Sequence, residues 1–271
     1  MKTLVGALCA MLLTLVPFVA AVAAPLKLVI HEESGAEGEP LPPISRYAAL
    51  RRALETALTR PVEITLTRDR QRVYEWMERN QADVFMTNAA DLAARALTSL
   101  GYNFIATARP DVTVLFIGKG APVDNLKALS GFAISMPKPE TMFGQVCTAE
   151  LRDFIAKQYT ARASSEYAAV VYAVENNLSP VGCIPSHSRA RDTLQAKGIK
   201  VVYEGRPQPA LPVIASLGLP AADRAAIAKV LTNFEEGAAG DSALKSLGVT
   251  GFTEGGETRL RMLNSWLKGT K

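Results

Sequence analysis

The chain has 271 residues, of which 48% are hydrophobic and 21% are charged, with a formal net charge of +4. This composition excludes a disordered or collagen-like chain, and the length allows one large domain or two of ordinary size. Basic and acidic residues are interspersed without a Lys/Arg block, so nucleic acid is not an expected partner. Two histidines, three cysteines and the lack of a CxxC or HExxH motif predict neither a metal site nor a cofactor.

The N-terminus predicts a secretory signal peptide over residues 1–23. Lys2 is followed by the apolar run Leu4–Val22, which ends in small residues, and Ala21 and Ala23 fit the positions before a cleavage site after Ala23. The alternative is an uncleaved membrane anchor, since the run is about long enough to span a bilayer. Pro17 within the run favours cleavage, so we expect an exported protein in the periplasm.

The chain then alternates short apolar runs with helical patterns. The predicted elements of the first half are strands at 26–30, 62–66, 83–86 and 112–117, with helices after Ser45, around Val73 and Met77, and from Asp91. The second half predicts strands at 132–136, 181–184, 199–203 and 211–216, with helices up to 157, at 167–174, before Gly198 and in the tail. This alternation predicts an α/β protein of two lobes, with mostly parallel sheets covered by helices on both faces.

Polar residues follow the predicted strands directly, and both histidines are among them. In open α/β sheets, ligands bind beyond the carboxyl ends of strands and at helix N-termini. We therefore expect a ligand cleft between the lobes. The candidate side chains after strands of the first lobe are His31, Glu32, Glu33, Thr87 and Asn88, and those of the second lobe are Thr141, Met142, Phe143, Gly144, Ser186 and His187.

Several short motifs occur in the order of a known family. They are Arg46-Tyr47-Ala48-Ala49-Leu50, Arg60-Pro61-Val62, Ala82-Asp83-Val84-Phe85, Asn125-Leu126-Lys127-Ala128-Leu129-Ser130-Gly131, and the segment Tyr167–Gly182. In this order the chain resembles the phosphonate/phosphate-type periplasmic substrate-binding proteins of ABC importers. The resemblance covers nearly the whole mature chain. It implies a type II periplasmic-binding-protein fold, with lobe one over 24–116 and 208–271, lobe two over 117–207, and hinges near 114–120 and 205–212.

The resemblance also implies an anion site where the first helix of lobe two begins. Members often carry a hydroxyl-rich Ser-Thr-Ser-Gly there, whereas this chain has Thr141-Met142-Phe143-Gly144. The backbone N–H groups persist, so Thr141 and Gly144 remain candidates for anion binding, and Met142 and Phe143 would form an apolar wall. Glu166 stands where the family tends to have a histidine. With Glu32 and Glu33 opposite, this favours a ligand with a cationic or hydrogen-bond-donating part over a small phosphonate.

Each candidate has a structural alternative. The polar groups at strand ends and helix starts are often caps, Glu32 and Glu33 are compatible with a solvated loop, Phe143 with core packing, and Gly144 with a plain turn. Cys147 and Cys183 fit two buried thiols in the first place, and export makes a disulfide between them an alternative.

Three functions are compatible with the sequence. The first is a solute-binding protein, monomeric and without a cofactor, that captures a small polar or anionic molecule and delivers it to an inner-membrane ABC permease. The second is a sensory or accessory binding protein for a receptor or periplasmic enzyme. The third, most distant, is an enzyme with Cys147 as nucleophile and His187 as its base.

Overall fold

The computed structural model describes residues 24–33, 43–121, 123–156, 158–236 and 238–269. The predicted signal peptide lies outside the described residues. The strands are β1 (Leu26–His31), β2 (Val62–Thr67), β3 (Val84–Thr87), β4 (Asn103–Val112), β5 (Val114–Gly118), β6 (Ala133–Pro137), β7 (Thr160–Ser164), β8 (Val181–Pro185), β9 (Lys200–Glu204), β10 (Gln208–Ala215) and β11 (Gly251–Thr253). The helices are α1 (Ala48–Leu58), α2 (Arg70–Glu78), α3 (Ala90–Ser99), α4 (Met142–Ile155), α5 (Tyr167–Glu175), α6 (Ala221–Thr232), α7 (Ala238–Leu247) and α8 (Glu257–Lys268). None of the helices within these ranges is both long and apolar enough to cross a bilayer.

The strands form two sheets, one in each lobe. The sheet of lobe one has the order β11-β4-β10-β3-β1-β2, and that of lobe two has the order β7-β6-β8-β5-β9. The predicted two-lobed α/β fold is therefore confirmed.

The prediction of mostly parallel sheets is wrong. The pairs β1–β2, β1–β3, β6–β7 and β6–β8 are parallel, whereas the pairs that involve β4, β5, β10 or β11 are antiparallel. A parallel pair needs a crossover connection, which α1, α2, α4 and α5 supply. The strands that carry the chain between lobes enter without such a helix, and they run antiparallel to their neighbours.

The chain crosses between the sheets at two short segments. Thr113 separates β4 of lobe one from β5 of lobe two, and residues 205–207 separate β9 from β10. A lobe boundary after residue 116 would cut through β5, so the first crossing lies earlier than expected. The strand predicted over 112–117 corresponds to β5, whereas β4, which ends at Val112, was not predicted. Thr113 is fixed at the crossing, because its N–H donates to the Ser186 hydroxyl (3.0 Å) and its carbonyl accepts from the Ser186 N–H (2.8 Å).

Alternate side chains of β1 pack into two different apolar cores. Leu26, Leu28 and Ile30 pack in the core beneath α1 and α6, whereas Val29 faces a second core on the other side of the sheet. That second core continues into lobe two through residues of α4 such as Val146 and Leu151. The C-terminal helix α8 contacts α3 of lobe one and α4 of lobe two, so it packs across the junction.

The two cysteines within the described residues, Cys147 and Cys183, are joined. Cys147 on α4 and Cys183 on β8 form a disulfide with a Cα–Cα distance of 6.4 Å, and both residues are fully buried. The first interpretation of the sequence, two separate buried thiols, is therefore wrong. The bond ties the helix that begins at the cleft to the central part of the lobe-two sheet.

Candidate functional site

The ends of β1 and β3 lie side by side at the cleft edge of lobe one. The two strands are parallel, with His31 opposite Thr87, and His31 Nδ1 lies 2.8 Å from the Thr87 hydroxyl oxygen. Both side chains are fully buried, and the Thr87 hydroxyl also accepts the N–H of Ala89 at the start of α3. His31 and Thr87 therefore support the edge of the site from within lobe one. Neither side chain is exposed to a ligand in this structure.

Glu32 and Glu33 follow β1 and point in different directions. The Glu32 carboxylate accepts hydrogen bonds from the Arg46 guanidinium (3.1 Å) and the Tyr47 hydroxyl, so it serves lobe one internally. This placement contradicts a cleft role for Glu32. Glu33 continues the strand alternation to the opposite side, where α4 of lobe two begins.

Glu33 is the residue that spans the cleft. One carboxylate oxygen accepts the main-chain N–H of Met142, the first residue of α4, at 2.7 Å. The other oxygen accepts from the Arg70 guanidinium at 2.8 Å. A carboxylate of lobe one thus lies on the N-terminus of a lobe-two helix, where the helix dipole favours negative charge.

Arg70 and Asp91 extend this contact. Arg70, the first residue of α2, pairs with Asp91 in the first turn of α3 as well as with Glu33. Asp91 also accepts a hydrogen bond from the Gln145 amide of α4 at 3.2 Å, which is a further link between the lobes at this edge. The second oxygen of Asp91, Oδ1, is buried and has no hydrogen-bond partner among the described residues.

Asn88 holds Glu33 in place. The Glu33 N–H donates to the Asn88 amide oxygen (2.6 Å), and the Asn88 amide nitrogen donates to the Glu33 carbonyl (3.0 Å). This pair of bonds attaches the residue after β1 to the residue after β3. Asn88 therefore positions the carboxylate that reaches across the cleft.

The start of α4 is built by Thr141 and Gly144. The Thr141 hydroxyl accepts the Gly144 N–H at 3.1 Å, an N-cap bond, and donates to the Lys138 carbonyl at 2.7 Å. A Cβ on Gly144 would overlap the Lys138 carbonyl, so glycine allows the helix to approach the preceding loop. Because Gly144 is helical, the expected alternative of a plain turn glycine is wrong.

The side chains of Met142 and Phe143 do not form a ligand wall here. They are 0% and 3% exposed and belong to the apolar core that both lobes share. The reason is helical geometry: the backbone of the first turn faces the cleft, while these side chains point down onto the sheet. Phe143 contacts the ring of His187 at a centroid distance of 5.1 Å, so His187 lies near α4 as an aromatic neighbour.

Ser186 and Glu166 have hydrogen bonds of their own, and among the described residues neither is bonded to Glu33. Ser186 is engaged at the crossing with Thr113, which is a structural role. Glu166 precedes α5 without a side-chain cap hydrogen bond. Burial raises the pKa of the hydroxyl of the next residue, Tyr167, and the charge of Glu33 acts in the same direction.

Burial controls protonation around this contact. Burial lowers the pKa of His31 from 6.5 to about 4, and the nearby Arg70 guanidinium acts in the same direction, so the ring is neutral at pH 7. Burial raises the pKa of Glu33 above its usual value, and Arg70 opposes that shift. The Met142 N–H, which donates to this carboxylate, opposes the rise as well, because both groups favour the charged form.

Nucleophilic chemistry at Cys147 is incompatible with the disulfide. Its sulfur is bonded to that of Cys183, and a thiolate is the form that attacks a substrate. The Cys147–His187 pairing is therefore not available for catalysis.

Two cavities of the structure lie elsewhere. A groove of about 750 Å³ runs between α1 and α6, and a pocket of about 370 Å³ lies between Gly118, Phe132 and Val174 of lobe two. Neither is lined by the residues that link the lobes. The candidate site rests instead on the hydrogen bonds across the cleft.

Residues 43–258 match the family described as "ABC transporter, phosphonate, periplasmic substrate-binding protein". The chain belongs to this family of periplasmic substrate-binding proteins. The resemblance inferred from the short motifs is confirmed, and so is the solute-binding role that goes with it. Members of the family are the binding components of ABC transporters, which present a small molecule to a permease. By sequence, no curated protein matches the chain.

Solved structures agree on the fold of this family member. XAC2383 from Xanthomonas citri bound to ATP is 17% identical, with a TM-score of 0.71 over 90% of this chain and 97% of that one. PhnD1 from Prochlorococcus marinus in complex with methylphosphonate is 11% identical, with a TM-score of 0.71 over 91% and 98%. SsuA, the aliphatic sulphonate binding protein from Escherichia coli, is 13% identical, with a TM-score of 0.57 over 92% and 76%. At these identities the likeness establishes a shared type II periplasmic-binding-protein fold.

The sequence analysis missed Arg70, Asp91, Gln145 and Tyr167, and it left Glu33 second to Glu32. The strand-end rule pointed to Arg70, because β2 is parallel to β1 and ends at Thr67, three residues before it. The loop between β2 and α2 was not among the predicted site positions. Gln145 gave no sequence signal, since its role depends on where lobe one lies.

Proposed function

We propose that this protein captures a small solute with an oxyanion group, which binds between the lobes at the start of α4 and beside Arg70. The observation that carries the proposal is the Glu33 carboxylate, bonded to the Met142 N–H and to Arg70 across the cleft. Because the Met142 N–H and Arg70 already bind a carboxylate, they provide the positive charge and the hydrogen-bond donors that an oxyanion of a solute requires. We call the Met142 N–H and the Arg70 guanidinium together the oxyanion seat.

The unpartnered Asp91 oxygen supports a second feature of the solute. Most buried carboxylate oxygens have a hydrogen-bond partner, from protein or water. Asp91 Oδ1 is buried without one among the described residues, next to the Gln145 contact between the lobes. A solute that also carries an N–H or O–H donor would satisfy this oxygen, in agreement with the sequence-based expectation of a hydrogen-bond-donating part.

The mature protein is proposed to act as a periplasmic monomer that begins after Ala23. Export with cleavage follows from the small residues that end the apolar N-terminal run. Intact mass measurement of the exported protein tests the cleavage site, and light scattering after gel filtration tests the monomer.

The solute class is tested with protein freed of bound solute by unfolding and refolding. A panel of carboxylates, amino acids, phosphonates and sulphonates, together with sugars, polyols and polyamines that carry no oxyanion, is screened by thermal denaturation, and the strongest binder is then examined by solution scattering. We expect that binder to carry an oxyanion, raise the Tm and reduce the radius of gyration, because a ligand that binds the closed form stabilises it. A best binder that lacks an oxyanion, or that leaves Tm and scattering unchanged, would contradict the proposal.

A further inference from the structure

We infer that Glu33 determines which solutes enter the cleft, because its own carboxylate occupies the oxyanion seat and has to be displaced. Bare oxyanions such as phosphate and methylphosphonate then bind weakly, whereas a solute with further contacts overcomes the competition. This inference rests on the proposed function, since it assumes that a solute uses the same seat.

The position of Glu33 is a fixed property of lobe one. Its backbone is bonded to Asn88 in both directions, and Asn88 lies directly after the buried strand β3. Glu33 moves with lobe one, so its carboxylate separates from Met142 when the lobes open, and in the closed form it leaves the seat only by rotation of its own side chain. Binding of an oxyanion at Met142 requires that rotation and the loss of the Glu33–Arg70 ion pair.

Burial makes this competition strong. The Glu33 side chain is 9% exposed and that of Asp91 is 10% exposed, with a single guanidinium, Arg70, between them. Two carboxylates against one cation leave this cluster with one surplus negative charge. An added phosphonate beside Glu33 would face like charge at low dielectric, which disfavours binding until Glu33 has moved.

The neighbouring glutamate provides a matched control. Glu32 has the same charge and a position one residue away, but it is bonded to Arg46 and Tyr47 on the other side of lobe one. A general effect of removing one negative charge from this region would appear for both residues. Displacement from the oxyanion seat would appear for Glu33 alone.

The test is calorimetric titration of refolded, solute-free protein with phosphate, sulphate and methylphosphonate. The variants are Glu33→Ala, which empties the seat, Glu33→Gln, which removes the charge and keeps the volume, and the control Glu32→Gln. We expect Glu33→Ala to lower the Kd of at least one of these oxyanions by about tenfold or more, Glu33→Gln to lower it less, and Glu32→Gln to leave it unchanged. Thermal denaturation of each variant verifies that it is folded.

A Glu33→Ala protein that binds these oxyanions no better than wild type overturns the inference, as does an equal gain in Glu32→Gln. If Glu33→Gln folds and Glu33→Ala does not, the Gln variant decides by the same criterion. The double variant Glu33→Ala/Arg70→Met separates the inference from the proposed function. If the gain survives loss of Arg70, the oxyanion binds elsewhere and the proposed seat is wrong, whereas a gain that disappears with Arg70 supports both.

Discussion

The two sides of the cleft contribute different kinds of groups. Lobe one supplies charged side chains at strand ends and helix starts, namely Glu33, Arg70 and Asp91. Lobe two supplies the main-chain N–H of Met142 and the neutral amide of Gln145. We therefore expect the side chains of lobe one to determine which solute charge the site prefers, and substitutions there to change that preference. The donor of lobe two persists whatever side chain stands at position 142.

The two sides are also held by different interactions. In lobe one, ion pairs and the His31–Thr87 hydrogen bond position the charged groups. In lobe two, the Cys147–Cys183 disulfide and the close approach at Gly144 hold α4 against its sheet. Lobe one should therefore respond to charge and pH, and lobe two to reduction.

Loss of Arg70 should be the most damaging change to the lobe-one side. Arg70→Met leaves two nearly buried carboxylates without their cation, and breaking a buried pair in this way costs about 3 to 5 kcal/mol. Urea unfolding measures the change in the free energy of unfolding, and the titrations above should show weaker oxyanion binding. Arg72→Met is the control, because the Arg72–Asp69 pair is exposed and should contribute less than about 1 kcal/mol. Equal losses for both variants would refute the special role of Arg70.

Loss of the disulfide should come next, and it should affect lobe two selectively. The bond closes a loop over a sequence separation of 36, and Cys147→Ala/Cys183→Ala should lower the free energy of unfolding by about 2 to 4 kcal/mol. Hydrogen exchange should become faster in α4 and β8 and remain unchanged in β1 and β3. A uniform increase across both lobes would contradict the separation between the two sides.

The smallest of these effects should be the acid sensitivity of the lobe-one edge. Because burial lowers the pKa of His31 from 6.5 to about 4, the unfolded chain binds a proton in this range that the folded chain excludes. Stability that is complete above pH 6.5 is therefore lost as pH falls, by about 2 kcal/mol between pH 7.5 and pH 5. Glu33 acts in the opposite direction, since burial raises its pKa.

His31→Asn separates the two contributions, because asparagine cannot take up a proton and can still bond to Thr87. Urea unfolding at pH 7.5 and pH 5 should show a smaller acid loss in the variant than in wild type. The same acid loss in both proteins would mean that a group other than His31 controls the pH dependence.

Much of the fold could be predicted because its signals are local. The apolar runs at β1, β3 and β8 and the helical spacing of α1 predicted real elements, and their alternation predicted two α/β lobes. The strand β7 was not predicted because its residues, Thr160–Ser164, are mostly exposed and the only apolar side chains among them are the small Ala161 and Ala163. The antiparallel pairs were not predicted, because strand direction depends on how the chain crosses between the lobes and no local sequence pattern encodes that crossing.

The site was predicted less completely, and Glu32 and Glu33 show why. The sequence placed Glu32 and Glu33 after a strand. The direction of each side chain decides which of the two reaches α4, and the bonding partner there depends on the position of lobe two. Met142 and Phe143 show the converse. Their positions at the start of α4 were predicted correctly, while the rotation of that helix buries their side chains.

By itself, the sequence determined most of the strands and helices, the family, and the polar residues at strand ends, because each depends on neighbours along the chain. The tertiary structure alone decided that Glu33 meets the Met142 N–H, that Arg70 lies between Glu33 and Asp91, and that Cys147 bonds to Cys183. These contacts join residues that are 21 to 109 positions apart in the chain. Packing of the two lobes brings them within bonding distance, and no local preference of the chain specifies such a meeting.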